Sequence, residues 1–286
     1  MKCTLVKYMV FALMLAVSCL AQADGSQSPI LIGTYKYPGI DRAASIKPLL
    51  ESVVANLNAP AVVVLFDSPS ELADAFKQGQ IQIAVPNLAG YLQIAFSPTI
   101  DFVLLASPDT LGSSYTSSIV TSFRGQTTLT DLRALSNKPI ATVWSDSISG
   151  GLVGLAYVNT RLNNKGLSYE TAYVGSHVNV FKGVAELSFE FGILATKVFL
   201  EESKKNPGKV SEVWRSSIIP FGPLVCAIEP LSSCLRLQHI LIKNAKESEK
   251  ILEGLKKGWP EFGNSTTFVR VEKSDLEPLV RILKQL

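Results

Sequence analysis

Pro139-Ile140-Ala141-Thr142-Val143-Trp144, followed at once by Ser147-Ile148-Ser149-Gly150-Gly151, decides how this chain is read. The first six residues form a buried strand, and Leu152, Leu155, Ala156 and Leu162 continue with helical apolar spacing from Gly150 to Asn163. A strand, a small hydroxylated turn and a helix start together point backbone N–H groups and a positive dipole end at one place. Gly175-Ser176-His177, before a helix over Val178 to Leu187, repeats the arrangement. Oxyanion recognition is therefore the first functional expectation.

Working outward, short strands alternate with amphipathic helices, which predicts parallel α/β architecture. Ile30 to Gly33 reads as a strand, and a loop carrying Tyr35 and Tyr37 follows. Ile46, Leu49, Leu50, Val53, Val54 and Leu57 mark one helix face. Ala61 to Phe66 reads as a fully buried strand, and Ser70 as the cap of the next helix. Further strands are expected at Ile81–Val85, Phe102–Ala106, Ser118–Thr121, Tyr173–Val174, Val210–Trp214 and Gly222–Ile228. Helices are expected at Leu88–Phe96, Leu129–Leu135, Leu231–Asn244, Ser248–Trp259 and Ser274–Leu286. Chain crossings near 116–119 and 220–223 fit two lobes better than one continuous sheet: 24–117 with 222–286, and 118–221.

Composition excludes other classes. The 286 residues are 47% hydrophobic and 18% charged, the balance of a globular chain. Residues 1–23 read as an export signal: Lys2 and Lys7, an apolar core from Tyr8 to Val17, and small residues Ala21-Gln22-Ala23 before Asp24. The competing reading is a lipoprotein signal ending at Cys19. Without Lys2 and Lys7 the 27 basic residues fall to 25 against 24 acidic ones, which gives no electrostatic case for nucleic acid. In an exported chain Cys226 and Cys234, eight apart, are a disulfide or two buried thiols. With two histidines in the whole chain, no metal site or cofactor is expected. Neither a Ser-His-acid arrangement nor a Walker or dinucleotide fingerprint is present, which argues against an enzyme.

Several of these motifs together resemble the periplasmic phosphate/phosphonate-type solute-binding proteins of ABC transporters. Ser147-Ile148-Ser149-Gly150 is similar to that family's serine-threonine-serine-glycine turn, and Gly175-Ser176-His177 to its glycine-serine-histidine turn. Trp214-Arg215-Ser216 through Pro220 resembles its segment before the return strand. Tyr115-Thr116-Ser117-Ser118 through Asp131-Leu132 resembles its crossover, and Tyr91 its tyrosine after the third strand. The resemblance implies a type II periplasmic-binding-protein fold, two α/β lobes joined by crossover strands with a ligand cleft between them. It further implies a periplasmic monomer that closes on phosphate, phosphite or a phosphonate and presents it to a transporter's membrane component. A sensory binding protein for another anion is the alternative.

The ligand set implied is Ser147, Ser149, Gly150, Ser176 and His177, with Tyr91, Tyr35 and Tyr37 opposite. Trp144 is expected beneath the turn, and Arg215 in a lobe-stabilising salt bridge. Three departures stand out: Ile148 replaces a threonine, Val178 stands where an acid often follows the histidine, and Glu190 takes the place of an aspartate. Few charged residues attend the motifs, so recognition is expected to rest on neutral donors, helix ends and one histidine. The missing acid weakens the case for an aminoalkyl phosphonate.

Overall fold

The computed structural model describes residues 28–96, 99–111, 113, 115–122, 138–162, 169–272 and 274–277. The export signal, Cys19, the helix expected at 129–135, Asp131-Leu132 and the last helix beyond 277 lie outside them.

The strands form two sheets. The first holds β1 (Ile30–Tyr35), β2 (Ala61–Phe66), β3 (Ile83–Ala84), β4 (Val103–Pro108), β10 (Leu224–Cys226) and β11 (Phe268–Val269), in the order β11-β4-β10-β3-β1-β2. The second holds β5 (Ser117–Thr121), β6 (Pro139–Thr142), β7 (Glu170–Tyr173), β8 (Phe191–Ala195) and β9 (Ser211–Arg215), in the order β7-β6-β8-β5-β9. Both sheets are mixed, which corrects the parallel expectation. β1 pairs with β2 and β3 in parallel, but β10 runs antiparallel between β3 and β4. β6 is parallel to β7 and β8, and β5 is antiparallel to β8 and β9.

Each sheet is covered on both faces, as its pleat requires. On one face of the first sheet Ile32, Leu49, Val53, Leu237, Ile251 and Trp259 join α2 (Lys47–Leu57), which follows the short α1 (Arg42–Ser45), with α8 (Ser232–Lys243) and α9 (Ala245–Gly258). On the other, Leu72, Phe76, Ile81, Leu88 and Leu92 pack α3 (Pro69–Lys77) and α4 (Leu88–Phe96). In β5 the neighbours Ile119 and Val120 enter different clusters: Ile119 meets Val158 of α5 (Val153–Leu162), Val120 meets Val180 and Phe181 of α6 (His177–Ala185).

Three local expectations are corrected. β2 is an edge strand, with Val62 47% and Leu65 40% exposed, because no strand among the described residues pairs with its outer side. The cap of α3 is Ser68, whose hydroxyl accepts from the Glu71 N–H at 3.1 Å, and Pro69 starts the helix behind it. β8 and α7 (Thr196–Lys205) were not expected, yet β8 is buried along its whole length in the second sheet.

The chain passes between sheets twice, from β4 to β5 and from β9 to β10. The two passages are bonded to each other: Ile219 N–H donates to the Tyr115 carbonyl and Ser216 N–H to that of Ser117, both at 2.9 Å. Gly222, on the return passage, lies so close to α4 that a Cβ would sit 2.7 Å from the Leu88 nitrogen. Cys226 and Cys234 form a disulfide with Cα atoms 5.6 Å apart, tying β10 to the first turns of α8. Arg215 pairs with Glu212 through two bonds, at 2.9 and 2.6 Å, the salt bridge expected of it.

Candidate functional site

A cleft of about 560 Å³ lies between the sheets. On the second-sheet side it is lined by Val143, Trp144, Asp146, Ser147, Ile148, Ser149, Ser176, His177 and Val178. The strand β6 ends at Thr142, and the helix behind it opens with a π-turn over Ile148–Leu152, a form frequent at functional sites. Ser147 caps that turn, its hydroxyl accepting from the Gly150 N–H at 3.3 Å. Ser176 caps α6 in the same way, accepting from the Asn179 N–H at 3.1 Å. A serine that accepts one bond as a cap still carries its own O–H to donate.

The two turns meet. A Cβ on Gly150 would stand 2.7 Å from His177 Cε1, 2.8 Å from Ser147 Oγ and 2.3 Å from a Val143 methyl. Only glycine lets the imidazole close on the Ser147 turn. His177 Nδ1 accepts from the Ala195 N–H at 3.1 Å, which fixes the neutral ring with its proton on Nε2. Burial pushes its pKa down to about 4. Ala195 ends β8, so the missed strand holds the histidine in its tautomer.

Opposite stand Tyr35, Tyr37, Pro38, Ile40, Arg42, Pro69 and Asn87, with Pro260, Glu261, Gly263 and Asn264 from the turn after α9. Burial pushes the Tyr37 phenol up to about 12 and also raises Tyr35. Tyr115, on the first crossing, also lines the cleft. Its phenol is raised by burial and by Glu261, against the Ser149 hydroxyl beside it.

Tyr91 does not line the cleft. It is 1% exposed in the cluster beneath α3 and α4, its phenol raised to about 12 by burial. Gly150 is also absent from the lining, and acts by making room. Trp144 faces the cleft rather than packing beneath the turn, with its ring edge-on to Tyr37 at 5.9 Å. Glu190 pairs with Lys138, away from the cleft. Val178 lines it.

The expectation of few charges is corrected most sharply: Arg42, Asp146, Lys197, Glu201 and Glu261 all line the cleft. Burial raises the Asp146 carboxyl, against a Ser70 hydroxyl that donates to it at 3.2 Å. Asn87 donates to the Asp146 carbonyl at 3.3 Å. These bonds, Tyr37 against Trp144, and Ile148 link the walls. Ile148 is 2% exposed and belongs to the first sheet's cluster with Tyr35, Leu72 and Leu88. It therefore makes an apolar contact to the opposite wall where the resembled turn would carry a hydroxyl.

A family model described as "ABC transporter, phosphonate, periplasmic substrate-binding protein" matches residues 40–276. Comparison with curated proteins finds no match. Among solved structures, XAC2383 from Xanthomonas citri bound to chloride ion is similar with a TM-score of 0.70 at 16% identity, over 91% of this chain and 97% of that one. PhnD1 from Prochlorococcus marinus in complex with methylphosphonate gives 0.65 at 15%, over 90% and 98%. The aliphatic sulphonate binding protein SsuA from Escherichia coli gives 0.53 at 12%, over 91% and 86%. At these identities the structures establish a shared fold.

Proposed function

This chain belongs to the periplasmic phosphonate substrate-binding family of ABC transporters, and from that premise we propose that its cleft captures a small phosphorus oxyanion: phosphate, phosphite or a phosphonate. Ser147, Ser149, Ser176 and the Nε2 proton of His177 donate from one wall, joined by first-turn amides that have no acceptor earlier in their helices. Tyr35 and Tyr37 donate phenolic protons from the other. Tyr91 drops out of this set, and Gly150 serves by its lack of a side chain. The observation that carries the reading is the approach of His177 to Gly150, which brings two capped helix starts to one point. Such neutral donors are strong where water is excluded, so affinity depends on the walls meeting.

The lobes, 24–117 with 222–286 and 118–221, close about the paired crossings at Tyr115–Ser117 and Ser216–Ile219. The protein acts as a monomeric carrier rather than a catalyst. Residues 1–23 direct export, with cleavage after Ala23 or lipidation at Cys19, and a membrane component reads the closed form. A thermal-shift panel of phosphate, phosphite, methylphosphonate, aminoethylphosphonate, sulfate and carboxylates tests the ligand class. The right ligand at 100 times its Kd adds about 2.7 kcal/mol. If no phosphorus oxyanion moves the melting temperature, the ligand class is wrong.

A further inference from the structure

The reading above leaves Arg42 without a task. Its side chain is 4% exposed, and its guanidinium carbon lies 4.0 Å from the Tyr35 ring centre, 5.0 Å from that of Tyr37 and 4.5 Å from that of Trp259. Nε donates to the Gly258 carbonyl at 3.0 Å. Burial raises the pKa of the Tyr35 phenol beside it, and Arg42 opposes that rise by charge and hydrogen bonding; among the described residues its buried Nη1 has no acceptor and it forms no ion pair. Aromatic faces offset part of the cost of burying a cation, but leave a donor unspent. Glu261 lines the same cleft and is held up by burial, with the Arg42 charge opposing.

We infer that Arg42 is a specificity-determining residue, its fixed charge acting on the bound anion from the first-sheet wall, with Glu261 as the protein's own counter-charge. The serines and His177 of the second wall are neutral donors, which respond to shape and hydrogen bonding, and that wall's Lys197 lines the cleft together with the acids Asp146 and Glu201. A fixed cation adds an attraction that scales with ligand charge. The site therefore favours a doubly charged phosphonate over a singly charged sulfonate of the same shape. Glu261 works against any anion, so Arg42 and Glu261 have opposite effects on affinity. This inference rests on the oxyanion reading.

Calorimetric titration with methylphosphonate and methanesulfonate, at one pH above the phosphonate's second ionisation, tests it. Arg42→Gln should weaken methylphosphonate by roughly 30-fold or more, with a smaller loss for methanesulfonate. Arg42→Lys should restore the phosphonate-to-sulfonate ratio while recovering only part of the affinity, since the charge returns without the planar fork. Glu261→Gln should tighten methylphosphonate by about fivefold, as a like charge is removed. A purely structural Arg42 would lower stability and leave the ratio alone, so an unchanged ratio in Arg42→Gln overturns the inference. Should that variant not fold, Glu261→Gln decides: equal or weaker binding overturns the inference. If the parent protein binds neither ligand nor any other phosphorus oxyanion, the oxyanion reading fails and this inference falls with it. If the parent binds and the variants do not differ as stated, only the inference fails.

Discussion

The two walls of the cleft are built differently. The second-sheet wall is local: Ser147, Ser149, Gly150, Ser176 and His177 sit on two turns, each directly after a strand and before a helix. The first-sheet wall is assembled from afar, with Tyr35, Tyr37 and Arg42 brought against Trp259 and Glu261, more than 200 residues later. One wall offers hydroxyls, amides and a neutral imidazole along with Asp146, Lys197 and Glu201; the other offers phenols, a cation and an acid. A locally built wall thus faces one assembled from distant segments, and each side can be disabled separately.

The largest effect is expected from the local wall. Ser149→Ala with His177→Ala removes two donors to an anion and should cost binding about 3 kcal/mol or more. Titration with the best ligand of the panel measures it. Parental affinity in the double variant would end the assignment of that wall, whatever family the chain belongs to.

Next is a test of whether the distant wall depends on its lobe's framework. Cys226→Ala with Cys234→Ala should lower unfolding stability by about 2–3 kcal/mol on the chain-entropy account of so short a loop. Urea midpoints measure the loss, and an unchanged midpoint would mean that the disulfide does not stabilise the folded lobe.

A third test separates the walls by pH. The unfolded chain takes a proton on a histidine near 6.5, whereas folded His177 resists until about 4. The folded state therefore binds fewer protons in that window, and His177 destabilises it progressively as pH falls from 6.5 toward 4. His177→Gln should flatten this slope by about 1–2 kcal/mol, allowing for the ring's partial exposure. Asp146 and Glu261, held up by burial, act with the opposite sign: protonation stabilises the fold through them. A steeper slope in the variant would contradict the buried neutral ring.

The smallest effect is expected at Tyr91→Phe. Its phenol is buried outside the cleft, and ligand affinity should change by less than about 0.5 kcal/mol. A tenfold loss would bring Tyr91 back among the ligand residues.

The same contrast explains what could be read from the residues. The local wall was legible, because a strand, a capping serine and a helix occupy one short stretch. The order of most elements was legible as well, from periodic apolar spacing. β8 was missed because Phe191–Ala195 is a short apolar run, which periodicity alone does not separate from a buried helix segment. β2 was misjudged because an apolar run looks alike at a sheet centre or an edge. Arg42 and Glu261 carried little signal, since their meeting is made by α9 folding back from far along the chain. The only hint was the cluster Tyr35, Tyr37 and Arg42, aromatic rings within reach of a cation.

Ile148 has a consequence for every ligand alike. Its side chain seats in the opposite wall's apolar cluster, so it favours contact between the walls whatever lies between them. Apparent affinity scales with the fraction of molecules already in the binding-competent arrangement. On the proposed reading, a residue that favours closure raises affinity for every ligand by one common factor, leaving their ranking to the serines, the histidine and the charges. We propose that isoleucine, where the resembled turn carries threonine, shifts the choice from which ligand binds to how readily the protein closes.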